Sequence, residues 1–347
     1  MKGSAVKGPP VRRVAIAFLA VALLGACGDD DAADTGPVTI TLVTHDSFAV
    51  SEGLLDQFTA ETGITVKVLQ AGDGGEMVNQ AILTKGDPLG DVLYGVDNTF
   101  LGRALDEEIF EPYRSPALSD VPQDLTELTA DNTVTPIDIA DVCLNYDKQW
   151  FADEGLAPPS SLEDLADPAY KGLLVVENPA TSSPGLAFML GTIDHFGEDG
   201  WLDYWDQLAD NDVEIAAGWE DAYYTSFSGS SGHGPRPIVV SYASSPPAEV
   251  VFADPPRDDA PTAVIESTCF RQVEFAGVLA GTEHEAAAQK LLDFMLSPTF
   301  QEDMPLNMFV WPANETAAVP EVFTEFSVLP DDPLALPPDV IAANRDQ

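Results

Sequence analysis

Three hydroxyl side chains in a row, Thr181, Ser182 and Ser183, stand between an apolar run (Leu173, Leu174, Val175, Val176) and a helix-like run that begins at Pro184. The first run reads as a buried strand, and proline suits the first turn of a helix, where its missing N–H costs nothing. A helix start with free N–H groups beside hydroxyls is a place for an anion. The same pattern also describes an ordinary helix capped by one of those hydroxyls. A second suggestive set is aromatic: His45, Trp219, Tyr223, Tyr242, Phe309 and Trp311, flanked by small polar residues. Such rings stack well on flat or cationic ligands. Catalytic patterns do not stand out. There is no Gly-x-Ser-x-Gly elbow, Walker loop or His-Glu-x-x-His segment. The four histidines are scattered, and carboxylates are so numerous that a close pair says nothing about acid–base work. With no Cys-x-x-Cys and no histidine pair at ligand spacing, neither a metal site nor a cofactor is expected. Gly72-Asp73-Gly74-Gly75 lacks dinucleotide-loop spacing and reads as a tight turn.

The elements that must carry these residues alternate. Residues 38–44 form a β-branched strand that runs into His45, Asp46, Ser47 and Phe48. An amphipathic helix around Leu54, Leu55 and Phe58 follows, then a strand over 65–69, a helix through Met77, Ile82 and Leu83, and a strand over 91–96 ending at Asp97 and Asn98. This is the α/β pattern, in which ligands gather at the carboxyl ends of strands. His45, Asp46, Asp73 and Asp97 all fall there. Residues 136–146 read as one long extended segment that carries the chain into a second domain. That domain holds a capping-box helix start at Ser161, the hydroxyl stretch, a helix around Trp201 and Trp205, and a strand over 238–242. The glycine-rich polar run 228–237 predicts a mobile loop. Residues 269–279 return the chain to the first domain, 289–301 read as a helix with Pro298 near its end, and a proline-rich tail covers surface. The aromatic set then lines a cleft between two domains.

Lys2, Lys7, Arg12 and Arg13 precede an apolar run, 14–26, that is too short to span a bilayer. It ends Leu24-Gly25-Ala26-Cys27, which resembles a bacterial lipobox. The expectation is a signal peptide over 1–26, lipidation of Cys27, a flexible tether over 27–37, and export to the outer face of the cell membrane. The formal charge of −43 argues against nucleic-acid binding, and the 45% hydrophobic content argues against disorder. The acidity reads as a solvated surface whose field also draws cations. Cys143 and Cys269 both sit in apolar, strand-like runs; in an exported protein they can form a disulfide, and otherwise are two buried thiols.

Several separated segments, in order, resemble the thiamine-binding lipoproteins and periplasmic components of ABC importers. Thr44-His45-Asp46-Ser47-Phe48 resembles that family's Thr-Tyr-Asp-Ser-Phe opening, and Val96-Asp97-Asn98 its Leu-Asp-Asn strand end. Thr181 to Leu186, Gly218 to Tyr223, Ser241 to Pro246, and Phe294 to Gln301 resemble its ligand loops and late helix. The resemblance implies a two-lobed periplasmic-binding-protein type II-like α/β fold, each lobe a mixed sheet flanked by helices, joined by crossover hinge strands. Lobe 1 would comprise 38–140 and 266–347, and lobe 2 would comprise 141–265. It further implies capture of thiamine or a thiamine phosphate by a monomer, without turnover, and delivery to an ABC transporter permease. The implied contacts are Asp73, Gly74, Ser182, Ser183, Trp219, Tyr242, Ala243, Ser244 and Ser245. His45, Tyr223 and Phe309 join them from the aromatic set. His45 stands where the family has tyrosine, and Phe309 where it has tryptophan. Two alternatives carry different chemistry: a ferric-ion importer component using Tyr223 and Tyr224, and a lipid-anchored hydrolase. In ferric relatives a tyrosine pair follows the strand that here ends in Tyr242, and Ala243 breaks that pair.

Overall fold

A computed structural model describes residues 38–129, 131–337 and 340–342. The readings at Cys27, the signal peptide and the tether lie outside them. Along the chain the strands are β1 (Val38–Thr44), β2 (Ile64–Gln70), β3 (Val92–Asp97), β4 (Phe110–Glu111), β5 (Thr135–Ile139), β6 (Val142–Asp147), β7 (Leu174–Glu177), β8 (Glu214–Ala216), β9 (Ile238–Tyr242), β10 (Thr262–Phe270), β11 (Val273–Leu279) and β12 (Trp311–Pro312). They form two mixed sheets. The first runs β12-β5-β11-β3-β1-β2, with β4 also on β11; the second runs β10-β6-β9-β7-β8. In the first, β1 is parallel to β2 and β3, while β11 is antiparallel to β3 and β5. In the second, β7 is parallel to β8 and β9, and β6 is antiparallel to β9 and β10. Every residue of β3 and β11 is buried, as expected of strands covered on both faces.

The extended run 136–146 is two strands, not one, and they belong to different sheets. Ala140 and Asp141 cross between them, and Arg271 with Gln272 makes the return crossing. The two crossings are stitched together. Ala140 N–H donates to the Gln272 carbonyl at 3.1 Å, and Arg271 pairs with buried Asp141 at 2.7 Å. Cys143 of β6 and Cys269 of β10 are joined in a disulfide.

Three further segments differ from the sequence reading. The helix expected over 289–301 is two pieces, Glu285–Met295 and Pro298–Gln301, because Ser297 caps a new start and Pro298 takes its first turn. The capping box at Ser161 does not form. A short 3-10 turn, Glu163–Ala166, follows instead, and Asp164 accepts from the N–H and hydroxyl of Ser160. The run 228–237 is tied in on both sides: Ser228 N–H donates to the Arg236 carbonyl, Arg236 N–H to the Ser226 carbonyl, and the Arg236 side chain to Glu214. The tail does not stay with the first sheet. The helix Glu321–Phe326 packs against the helix Pro246–Val251, and Val328 N–H donates to the Ala243 carbonyl. Among the described residues no helix is long and apolar enough to cross a membrane.

Candidate functional site

The hydroxyl stretch does start a helix, Ser183–Phe196, but no hydroxyl caps it. Ser182 takes the cap position with its side chain buried and unbonded. The N–H of Ser183 instead donates to Asp73 Oδ1 at 3.2 Å, across 110 positions of sequence. Asp73 ends the loop after β2 and caps its own helix, Gly74–Leu83, through Gly74 N–H at 2.6 Å. Its other oxygen accepts from Trp219 N–H at 3.0 Å. One carboxylate from the first-sheet side therefore ties down two segments of the second. Thr181 adds to the same seam, its carbonyl accepting from Glu76 N–H at 3.2 Å. Glycine at position 74 lets the seam close tightly: a Cβ there would lie 2.2 Å from Ser183 Oγ, which would have to turn away. The tight-turn reading of Gly72 to Gly75 thus gives way to a helix start, with Asp73 as its cap.

Beside this seam lies a cavity of about 280 Å³ between the two sheets. Trp219 forms one wall. Its ring stacks on Tyr223 at 5.0 Å and 19°, and leans toward Tyr242 at 6.0 Å. Its indole N–H donates to Ser241 Oγ at 3.0 Å, and Ser241 in turn meets Ser245 Oγ at 2.8 Å. The opposite wall carries His45 and Glu274, with 3.9 Å between Nε2 and Oε1. His45 lies close over Gly95, where a Cβ would sit 2.4 Å from its ring. At one side Phe309, held at a positive φ of 55°, meets Phe252 edge-on at 5.5 Å. These two come from opposite sheets' connections and close the cavity between them. Its charged lining groups are Asp46, Asp73, Glu220 and Glu274 with His45; neither lysine nor arginine lines it.

A partly open, aromatic-lined cavity between two crossed-over sheets is what a solute-binding protein needs, and the sequence comparison agrees. Residues 87–329 match the family model described as bacterial extracellular solute-binding protein. The chain belongs to this family. Among its curated relatives, the thiamine-binding periplasmic protein of Escherichia coli (strain K12) is 29% identical over 323 residues, covering 90% of this chain and 92% of the relative. A solved periplasmic thiamin binding protein superimposes with a TM-score of 0.78 at 26% identity, covering 89% of this chain and 93% of the other. The ferric binding protein from Campylobacter jejuni superimposes at 0.71 with 17% identity, over 88% and 96% of the two chains, a likeness of fold alone.

In this solute-binding protein the cavity brings together His45, Asp73, Gly74, Ser183, Trp219, Tyr223, Tyr242, Ser245 and Phe309. Ser182, Ala243 and Ser244 do not line it; they are buried behind it. Ala243 packs against the disulfide instead. Asp46, placed by the sequence at a ligand-gathering strand end, also lines the cavity; the sequence reading missed Glu274, Gln272 and Glu220. Glu274 had a usable signal: a lone carboxylate inside the apolar run 273–279.

Glu274 belongs to a buried polar group. The Tyr94 hydroxyl donates to Asp138 Oδ2 at 2.6 Å and reaches Glu274 Oε2 at 3.2 Å. Burial, reinforced by the Glu274 charge, holds Asp138 well above the usual carboxylate range. Glu274 is raised by burial as well, against the pull of His45. Burial also raises Asp97 and Glu177, and it pushes Asp141 up to about 6 despite Arg271. A carboxyl with a raised folded-state pKa binds protons that the unfolded chain has already released. The stability it contributes is complete below the unfolded value and is lost as pH rises through the folded one. The window for Asp141 runs from about pH 4 to about 6. Calorimetry from about pH 7.5 down to about pH 5 should show Tm climbing by roughly 5 °C or more. About 0.5 M salt in every sample screens repulsion among surface acids and isolates the buried groups. A flat or falling curve would mean that they ionise at no cost to the fold.

Proposed function

We propose that this chain is the extracytoplasmic capture component of an ABC importer for thiamine. The observation that carries the reading is the cavity lining: stacked aromatic rings with carboxylates and no basic residue other than His45. Thiamine joins a permanently cationic thiazolium to an aminopyrimidine. Trp219 and Tyr242 offer faces to those rings, and cation–π contact contributes about 0.5–2 kcal/mol per ring. Glu274 offers a buried carboxylate in the lining as countercharge. The thiamine-binding names of the relatives support the same ligand.

In this reading 38–140 and 266–347 form one lobe and 141–265 the other, except that β10 continues to Phe270 within the second sheet and that the tail crosses over. The crossings at Ala140-Asp141 and Arg271-Gln272 act as the hinge. A ligand that touches both lobes shifts the hinge equilibrium toward the closed form, which docks on the permease. Cys27 carries the lipid that holds the monomer at the outer face of the membrane. The solute is bound and released unchanged. A ferric reading needs converging phenolates. Here the Tyr223 hydroxyl donates to Glu249 at 3.0 Å, and no second tyrosine follows Tyr242.

Isothermal titration with thiamine tests the proposal. One saturable site per chain, with quenching of tryptophan fluorescence, is expected. Failure of thiamine and of both its mono- and diphosphate to saturate the protein would overturn it.

A further inference from the structure

Two rings meet across the cavity, one from each lobe in the reading above. Phe252 caps the C-terminal end of the helix Pro246–Val251 on the second-sheet side, and Phe309 stands just before β12 of the first sheet. Their centroids are 5.5 Å apart at 66°, the edge-to-face arrangement that aromatic pairs favour. Both line the cavity, yet Phe252 is 71% exposed. A ring that open adds little to a core, so its value lies in the ring it meets. From this pairing we infer that Phe252 and Phe309 form a latch: their contact breaks when the lobes part, and it sets how slowly a captured solute leaves. The inference rests on the thiamine reading and adds to it a residue, Phe252, that lies outside the ligand contacts named so far.

Both rings stand on stiff supports. The helix that carries Phe252 starts at the cavity wall: Ser245 precedes it, and Ser245 and Ala248 both line the cavity. Phe252 N–H donates to the Ala248 carbonyl at 3.0 Å, so the ring stands one helical turn from that wall. Glu249 of the same helix accepts from the Tyr223 hydroxyl, and the tail helix Glu321–Phe326 packs against it. Rotation of the second lobe therefore carries Phe252 along. Phe309 is fixed differently. Its φ of 55° is rare for a bulky side chain, and such a backbone persists only where its surroundings impose it. Here its N–H donates to the Met304 carbonyl at 3.1 Å, and β12, which follows, pairs with β5. Neither ring can follow the other when the lobes separate. Opening then returns apolar surface to water with no new bond in exchange, whereas polar groups that part are solvated. A contact made only in the closed form slows opening. It leaves the approach of solute to the open form unchanged, so its effect falls on release.

Because Phe252 is exposed, Phe252→Ala should fold as the wild type does, with Tm within about 2 °C. Stopped-flow quenching of tryptophan fluorescence, over a series of thiamine concentrations, yields the association rate from the slope and the dissociation rate from the intercept. Phe252→Ala should raise dissociation about three- to tenfold and leave association within about twofold. Phe309→Ala should raise dissociation at least as much. In the double variant the two effects should not multiply. Its dissociation rate should stay within about twofold of the faster single variant, because either truncation already breaks the latch. Effects that multiply would mean that each ring touches the solute on its own, and would overturn the latch. So would a smaller rise in Phe252→Ala, or an effect confined to association. These outcomes leave the ligand class intact. Failure of thiamine and its phosphates to saturate the wild type would sink the thiamine reading, and this inference with it.

Discussion

Trp219→Ala is expected to weaken thiamine binding by about tenfold to a hundredfold and to leave the fold in place. The ring meets the cavity while stacked on Tyr223 and anchored by its indole N–H to Ser241. Such a ring is pre-organised, so little entropy is lost when a ligand arrives. Cation–π contact and aromatic stacking together contribute about 1.5–3 kcal/mol, which sets the range given. Truncation removes the ring but not the backbone N–H that Asp73 holds, so the seam between the sheets survives. Trp219→Phe separates the contributions. It keeps an aromatic face and loses the bond to Ser241, and Ser241 retains Ser245 as a partner. Its affinity should stay within about fivefold of wild type. Calorimetric titration checks both variants, with Tm as the control for folding. An alanine variant that binds within twofold of wild type would remove Trp219 from the site.

The strands were legible because their patterns are local. Residues 38–44 and 238–242 are short runs rich in β-branched and apolar residues, and the structure places β1 and β9 there. The site was legible in residue types and only partly in roles. Thr181 to Ser183 read as a self-capped helix start because capping is normally local. The true acceptor, Asp73, lies more than a hundred positions away. Nothing in either segment announces the pairing; it depends on how the two sheets face each other. Glu274 was hidden for a different reason. In a chain with 58 acidic residues one more attracts no notice. Its burial is decided by neighbours in the sheet, where it pairs in register with Asp138 of β5 and Asp97 of β3. An acid interrupting an apolar strand is the pattern that would have exposed it. Asp138 follows the same rule, set between Ile137 and Ile139 in the run first read as continuous.

The pairing of Cys143 with Cys269 leads to the largest expected effect on stability. The bond closes a sequence separation of 126 residues, between two neighbouring strands of the second sheet. A crosslink of that span restricts the unfolded chain strongly, and removing such bonds costs about 2–5 kcal/mol. For a protein of this size that is a fall in Tm of roughly 3–8 °C. Both sulfurs are fully buried beside Ala243. Reductant alone will therefore reach them slowly, and the Cys143→Ala/Cys269→Ala double variant is the cleaner comparison. Binding should respond much less. The bond lies within one sheet, away from the cavity lining, and the hinge crossings keep their own tie through Asp141 and Arg271. Thiamine affinity is expected to stay within about fivefold of wild type, at a temperature where both proteins are folded. A Tm shift under about 2 °C would mean that the crosslink does little for the fold. A large shift accompanied by lost affinity would mean that the second sheet positions Trp219 and Tyr242 only while the bond holds β6 against β10.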